Sequence, residues 1–234
     1  MLANKLALSL PSINKVGNVV PFNPIDESSL LAWYKNKVGV GLISGRVDEW
    51  LDSSTNSYDM QQTTAIERPT YNVGGGKLGF SPPYDEHLQS PFSTMSMTGE
   101  FTIGFKINVG VSGEGTVLAS NTITDRYISI KTGGTILLIH TDTGQYSLNL
   151  NALQSFTNAD VVLSRDSSNL VSIYLNGTLQ NDTETISGRL EINAIGIRSA
   201  TNTLPFDGWM SEIQIYNSTS STLISNVNTY LSNI

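Results

Sequence analysis

The sequence predicts an all-β protein, an antiparallel sandwich or barrel, on three observations. Apolar and polar residues alternate with a period of two through most of the chain after residue 100. The segments between the alternating runs are turn-forming, and no convincing amphipathic helix interrupts them. The clearest run is Phe101, Ile103, Phe105, Ile107 and Val109, set against Thr102, Gly104, Lys106 and Asn108. In a strand, successive side chains point to opposite faces, so five large apolar groups share one face and small or polar groups the other.

The same pattern recurs at Ile128 and Ile130, at Tyr146, Leu148 and Leu150, at Val171, Ile173 and Leu175, and at Leu190, Ile192 and Ala194. Residues 135–139 are apolar on both faces, as a central strand requires. Between the strands lie Ser112-Gly113-Glu114-Gly115, Thr132-Gly133-Gly134, Asp142-Thr143-Gly144, Asn176-Gly177 and Ser187-Gly188. Asp142 to Gly144 suits a hairpin, and Asn176-Gly177 suits a type I′ turn, because both of its residues tolerate positive φ. Earlier in the chain, residues 28–34 read as a turn entering a first strand, with Trp50 near a packed loop. Gly74-Gly75-Gly76 precedes a short strand over 77–80. Residues 1–26 hold Pro11, Pro21 and Pro24 without periodicity and read as an extended N-terminal arm that lies outside the core or docks on a partner; 27–234 form one domain.

Composition narrows the function. Charged residues are 14% of the chain, against about 25% in an average soluble domain. Ser, Thr and Asn number 29, 23 and 21 of 234 residues, so small polar side chains carry most of the surface polarity. The net charge is −7 and no Lys/Arg run exists, which argues against nucleic-acid partners and anionic membranes. The longest apolar stretch near the start, Leu6-Ala7-Leu8, is too short for an export signal, and no later stretch suits membrane insertion. With no cysteine, thiolate chemistry and disulfides are excluded.

The order of short motifs resembles the concanavalin A-like lectin/glucanase superfamily, in its laminin-G-like jelly-roll branch. Trp33-Tyr34, the Gly45–Ser54 segment with Trp50 and Asp52, Asn56-Ser57-Tyr58-Asp59 and Arg68-Pro69-Thr70-Tyr71 carry the first part. Gly99-Glu100-Phe101-Thr102-Ile103-Gly104-Phe105 and Ser172-Ile173-Tyr174-Leu175-Asn176-Gly177-Thr178 follow. Phe206-Asp207-Gly208-Trp209-Met210-Ser211-Glu212-Ile213-Gln214-Ile215-Tyr216 looks like the family's closing strand. In that strand Ile213 and Ile215 share a face while Met210 has the opposite parity, so a bulge near Ser211 or burial of both faces is expected. The resemblance implies a two-sheet jelly-roll β-sandwich. The opening Met1-Leu2-Ala3-Asn4-Lys5-Leu6-Ala7 is similar to structural proteins of marine tailed phages. That likeness implies a surface-exposed, virion or extracellular protein, with virion proteins or further copies of itself as partners.

Catalytic chemistry is thinly represented. The glucanase members of the superfamily carry Glu-x-Asp-x-Glu, and retaining hydrolysis needs two carboxyls about 5–5.5 Å apart; this chain lacks the motif. Asp48-Glu49, Asp85-Glu86 and Asp182-Thr183-Glu184 approximate it and read as solvated loop carboxylates. His87 and His140 belong to no metal or triad pattern. No cofactor is required on this reading. Laminin-G-like folds often hold calcium at the sandwich rim, which makes Asp52, Asn56, Asp59 and Asp207 candidate calcium ligands; the competing reading is that Asp and Asn form the turns there. For a glycan, an exposed aromatic platform is wanted, and Trp209 and Tyr84 are the candidates, with Trp33 and Trp50 assigned to packing. The expectation is a non-enzymatic binding or structural module for glycans or host-surface ligands. A carbohydrate-active enzyme with unusual acids and a purely architectural virion protein are the alternatives.

Overall fold

The structure, a computed structural model, describes residues 21–91, 93–110, 115–131, 134–150, 158–198 and 204–234. It is a jelly-roll β-sandwich built from antiparallel strands, with one α-helix among the described residues, near the C-terminus. One sheet runs in the order Leu30–Tyr34, Gly208–Tyr216, Phe101–Val109, Ala159–Arg165 and Leu170–Leu175. The opposing sheet runs Leu88–Gln89, Ala194–Ile195, Gly115–Ala119, Tyr127–Lys131, Ile136–Thr141 and Gly144–Asn149. The hairpin of Val40–Ile43 and Arg46–Trp50, together with Met60–Gln61, Thr70–Asn72 and Lys77–Phe80, joins the two, because Lys77–Phe80 pairs with the closing strand Gly208–Tyr216 and Met60–Gln61 with Leu88–Gln89.

Between the sheets lies one apolar core. Phe101, Ile103, Phe105 and Ile107 meet Ile128, Ile130, Leu137, Ile139 and Leu148 there, as the period-two pattern requires. Each such side chain, fully buried, contributes roughly 1.5–3 kcal/mol relative to exposure. Trp50 ends its strand with no exposed surface, so it belongs to a strand and the core rather than to a loop. Asn176 (φ 48°) and Gly177 (φ 76°) form the expected two-residue turn, with Leu175 opposite Thr178. Thr141 faces Gly144 across the Asp142-Thr143 hairpin.

The closing strand settles the parity of Met210. Its register against Phe101–Val109 shifts between Met210 and Glu212, so Ser211 is a bulge. Met210, Ile213 and Ile215 all point into the core, while Glu212, Gln214 and Tyr216 face the opposite side of the sheet.

That second face is also buried, the other alternative for the closing strand, beneath a helix that the sequence reading missed. Helix Ser221–Ser232 begins at Ser220, whose Oγ accepts from Leu223 N at 3.0 Å. Leu223, Val227 and Leu231, four residues apart, make one stripe and pack on Val162, Tyr216, Trp33 and Leu30. Gly104 leaves the space that Val227 fills, since a Cβ there would stand 2.5 Å from Val227 Cγ1. Lys106 Nζ reaches Leu231 O at 2.8 Å and ion-pairs with Asp160 at 2.9 Å. A cation at the carbonyl end of a helix complements its dipole. The Thr102-Gly104-Lys106 face is therefore a helix dock and not a solvated surface.

Beneath the helix edge sits a buried carboxylate. Glu212 accepts from the Trp33 indole Nε1, from Asn36 N at 2.6 Å and from Gln214 Nε2 at 3.2 Å. Burial pushes its pKa up against those donors, which pull it down. Tyr216 completes the chain by donating to Gln214 Oε1 at 2.8 Å.

Of the N-terminal arm, residues 1–20 lie outside the described residues. Residues 21–26 place Phe22 edge-on to Tyr230 of the helix, at 6.4 Å between ring centroids, before a short turn over Pro24–Asp26. No helix among the described residues is long and apolar enough to cross a membrane.

Candidate functional site

Where Lys77–Phe80 meets the closing strand, a groove of about 470 Å³ opens on the molecular surface. Three residues singled out from the sequence meet in it: Trp209, Tyr84 and Asp207. Trp209 directly precedes Met210, which enters the core, so strand alternation turns the indole outward. Its six-membered ring rests against Gly79, where a Cβ would meet Cζ3 and Cη2 at 2.8 and 2.9 Å. The absence of a side chain at Gly79 thus seats the ring, and Trp209 stays partly exposed while Trp33 and Trp50 are 4% and 0% exposed.

Tyr84 closes a 3-10 turn, Pro82–Tyr84, whose two prolines fix the backbone φ. Tyr84 is 48% exposed. The chain then reverses at Asp85, in the left-handed region with φ 51°, and this reversal carries Glu86 inward. The Glu86 side chain is 1% exposed and its Oε1 accepts from Arg46 Nη1 at 2.5 Å. This corrects the reading of Asp85-Glu86 as a solvated loop pair. Arg46 also donates to Arg68 O at 2.6 Å, and its guanidinium lies 5.9 Å from the Tyr84 ring centroid. Burial raises the Glu86 pKa; the Arg46 hydrogen bond and charge, with the Ser81 backbone, pull against it.

Asp207 stands opposite, its carboxyl packed on Gly110 so closely that a Cβ there would come within 2.3 Å of Oδ1. Gly110 N donates to Asp207 O at 2.7 Å, which fixes the loop leading to Gly208. Asn108, paired with Trp209 across the ladder, and Ser81 add polar groups to the rim. The site therefore presents a seated indole, an exposed phenol and a carboxylate around a glycine-lined floor. Such a surface can stack on the apolar face of a ring while hydrogen-bonding its edge.

The other candidates lie elsewhere. Asp52, Asn56 and Asp59 share one loop, as the sequence suggests, but their polar atoms hold backbone. Asp52 Oδ1 accepts from Trp33 N and Ser54 N, both at 2.8 Å, and Oδ2 from Ser54 Oγ at 2.6 Å and Tyr58 N at 3.0 Å. Asp59 Oδ1 accepts from Asp52 N at 2.9 Å, and Asn56 Nδ2 donates to Leu30 O and Leu31 O. Asp207 belongs to the groove and not to this loop. Among the described residues no three His, Cys, Asp or Glu side chains converge as a metal set requires. In the structure the side chains of Asp52, Asn56 and Asp59 hold the turn of their loop.

His87 is buried, donating from Nδ1 to Asp85 O at 2.7 Å with Nε2 3.0 Å from Gln62 Nε2. His140 stacks on Tyr127 at 5.2 Å between centroids. Asp182 accepts from Asn149 N and Nδ2, which lowers its pKa.

A laminin-G-type family model, described as concanavalin A-like lectin/glucanases superfamily, matches residues 83–222. The chain belongs to the concanavalin A-like lectin/glucanases superfamily. Its matched span includes Tyr84, Glu86, Asp207 and Trp209, and leaves out Arg46. No curated protein matches the chain by sequence.

Solved structures match its fold. One is of botulinum neurotoxin type C, whose way into cells is dependent upon interaction with two ganglioside molecules; it is 15% identical, with a TM-score of 0.56 over 88% of this chain and 51% of that one. The botulinum neurotoxin serotype D ligand-binding domain, in complex with N-acetylneuraminic acid, is 13% identical with a TM-score of 0.57 over 88% and 51%. The binding domain of Paraclostridial Mosquitocidal Protein 1 is 15% identical with a TM-score of 0.56 over 88% and 52%. The chain thus spans about half the length of these proteins, and the likeness is one of fold.

Proposed function

We propose that this superfamily member is a non-catalytic carbohydrate-binding module whose site is the groove around Trp209. The observation that carries the reading is the convergence of Trp209, Tyr84 and Asp207 in one groove, from positions far apart in sequence. A pyranose laid on the indole would bury its C–H face there and turn its hydroxyls toward Asp207 and the polar rim. The neighbours that interact with gangliosides or hold N-acetylneuraminic acid support glycan binding as a use of this architecture.

The non-enzymatic reading is supported by the state of the acids. Glycoside hydrolysis needs two carboxyls able to reach the bond, whereas Glu86 is buried and bound to Arg46. We place the module on the exposed surface of a phage particle, among virion proteins and in multiple copies. The opening segment Met1–Ala7 and the charge-poor, Ser/Thr/Asn-rich composition support that placement. Single sites of this shallow kind are weak, and display in many copies raises their effective affinity without any new contact.

The test is a glycan array followed by titration calorimetry on Trp209→Ala. Loss of binding in a variant with an unchanged melting curve supports the reading. Binding that survives the substitution refutes the site, and an array without any hit favours an architectural role. Mass spectrometry of purified particles checks the virion placement.

A further inference from the structure

We infer that Arg46 determines which sugars the Trp209 groove accepts, by gripping two neighbouring oxygens on one edge of the sugar with its guanidinium. This rests on the carbohydrate-binding reading of the same groove and adds the ligand chemistry and the residue that reads it. Arg46 lies outside the span matched by the family model and lines the groove by way of the sheet. Across four adjacent strands, Arg46 stands opposite Thr70, Thr70 opposite Gly79, and Gly79 opposite Trp209. Directly opposed residues in antiparallel strands share a face, so the guanidinium and the indole rise from the same side. Only a threonine and a glycine lie between them. The indole leans over Gly79, so roughly two strand spacings, about 10 Å, separate its seat from the Arg46 backbone. One sugar ring and the arginine side chain bridge that span together.

One side of the guanidinium is already held. Nη1 donates to Glu86 Oε1 at 2.5 Å and to Arg68 O at 2.6 Å. The Glu86 side chain is buried, whereas that of Arg46 is one-third exposed, beside the Tyr84 ring. Nε and Nη2 make no hydrogen bond among the described residues, and neither is shut off from solvent. These two nitrogens form the free side edge of a planar fork, and its parallel N–H groups match a pair of adjacent oxygens. Glu86 is therefore a positioning residue, because it fixes the fork before the ligand arrives. The oxygen pair has two sources: the carboxylate of an acidic sugar, or adjacent hydroxyls of a neutral one.

The experiment titrates the full chain and its Arg46→Lys variant with lactose, cellobiose, maltose, 3′-sialyllactose and digalacturonate, at low and high salt. Lysine keeps a cation for Glu86 but offers no fork, so Trp209-dependent binding should fall about tenfold or more. In the native chain the Arg46 Nε–H resonance, assigned by its loss in the variant, should shift saturably with sugar. Binding that weakens with salt identifies a carboxylate as the source of the oxygen pair. Binding indifferent to salt identifies hydroxyls, and either result supports the grip. Should Arg46→Lys fold poorly, the Nε–H resonance of the native chain carries the test. Glu86→Gln, which keeps an acceptor for Nη1, should retain most of the affinity. Full affinity in Arg46→Lys, or sugar binding that leaves the Arg46 Nε–H signal unmoved, overturns this inference and leaves the carbohydrate reading standing. No sugar binding at all overturns both.

Discussion

Replacing Gly104 by Ala tests how tightly the C-terminal helix is seated on the sheet. A Cβ at Gly104 would stand 2.5 Å from Val227 Cγ1 and 3.3 Å from Leu231 Cδ1. Carbon atoms pack comfortably at about 3.5–4.0 Å, so the helix would have to withdraw by about 1 Å. Overpacking of this kind costs roughly 1–3 kcal/mol. For a domain of this size each kcal/mol lowers the melting temperature by about 2–4 °C, so a fall of about 2–12 °C is expected by calorimetry. Val227→Ala alone removes two methyl groups at about 0.8 kcal/mol each, plus a cavity cost. Combined, the two substitutions relieve one another, because the new methyl enters the space that Val227 leaves. The double variant should therefore be more stable than the sum of the single effects predicts, by about 1 kcal/mol or more. Additivity within about 0.5 kcal/mol, or a neutral Gly104→Ala, would refute this account of the dock.

Glu212→Gln should flatten the pH dependence of stability above the normal glutamate range. Burial raises the folded-state pKa of Glu212 above the ordinary glutamate value of about 4.5, so in that window the folded chain binds more protons than the unfolded one. Native stability then falls as pH rises from about 4.5 through the raised pKa, and urea midpoints of the two proteins should converge at the acid end; parallel curves contradict this. Gly79→Ala places a methyl where the Trp209 ring rests. It should cost about 1–2 kcal/mol of stability and, by unseating the indole, a much larger share of sugar affinity in the same titration. Asp52→Ala should destabilise by about 3 kcal/mol, because Trp33 N, Ser54 N and Tyr58 N lose their acceptor. Calcium and chelator should leave the native melting temperature unchanged, and a calcium-induced rise would restore the metal reading of that loop.

The strands were legible because alternation is a local property: Phe101 to Val109 and Val171 to Leu175 lie where their pattern placed them. The Asn176-Gly177 turn was legible for the same reason, since its positive φ values select those two residues. The helix was not. Ser221–Ser232 is rich in Ser, Thr and Asn, residues of modest helix propensity. Its three buried residues become a stripe only against the Gly104 dock. The Thr102, Gly104 and Lys106 face looked solvated because its cover lies more than a hundred positions away in sequence. In the groove, Trp209 and Tyr84 were visible as aromatic residues suited to sugars, and Asp207 only as a candidate calcium ligand. Arg46 and Glu86 were not, because a pair 40 residues apart in sequence is made by the fold and the charge balance follows from it.

The central claim, that sugars bind on Trp209, can be read directly from the tryptophan indole resonances. The chain has three tryptophans, and Trp33 and Trp50 are buried while Trp209 is partly exposed. Titration with a neutral glycan should move the Trp209 indole N–H signal in a saturable way and leave the Trp33 and Trp50 signals in place. Saturable glycan binding that leaves the Trp209 signal unmoved would contradict the account.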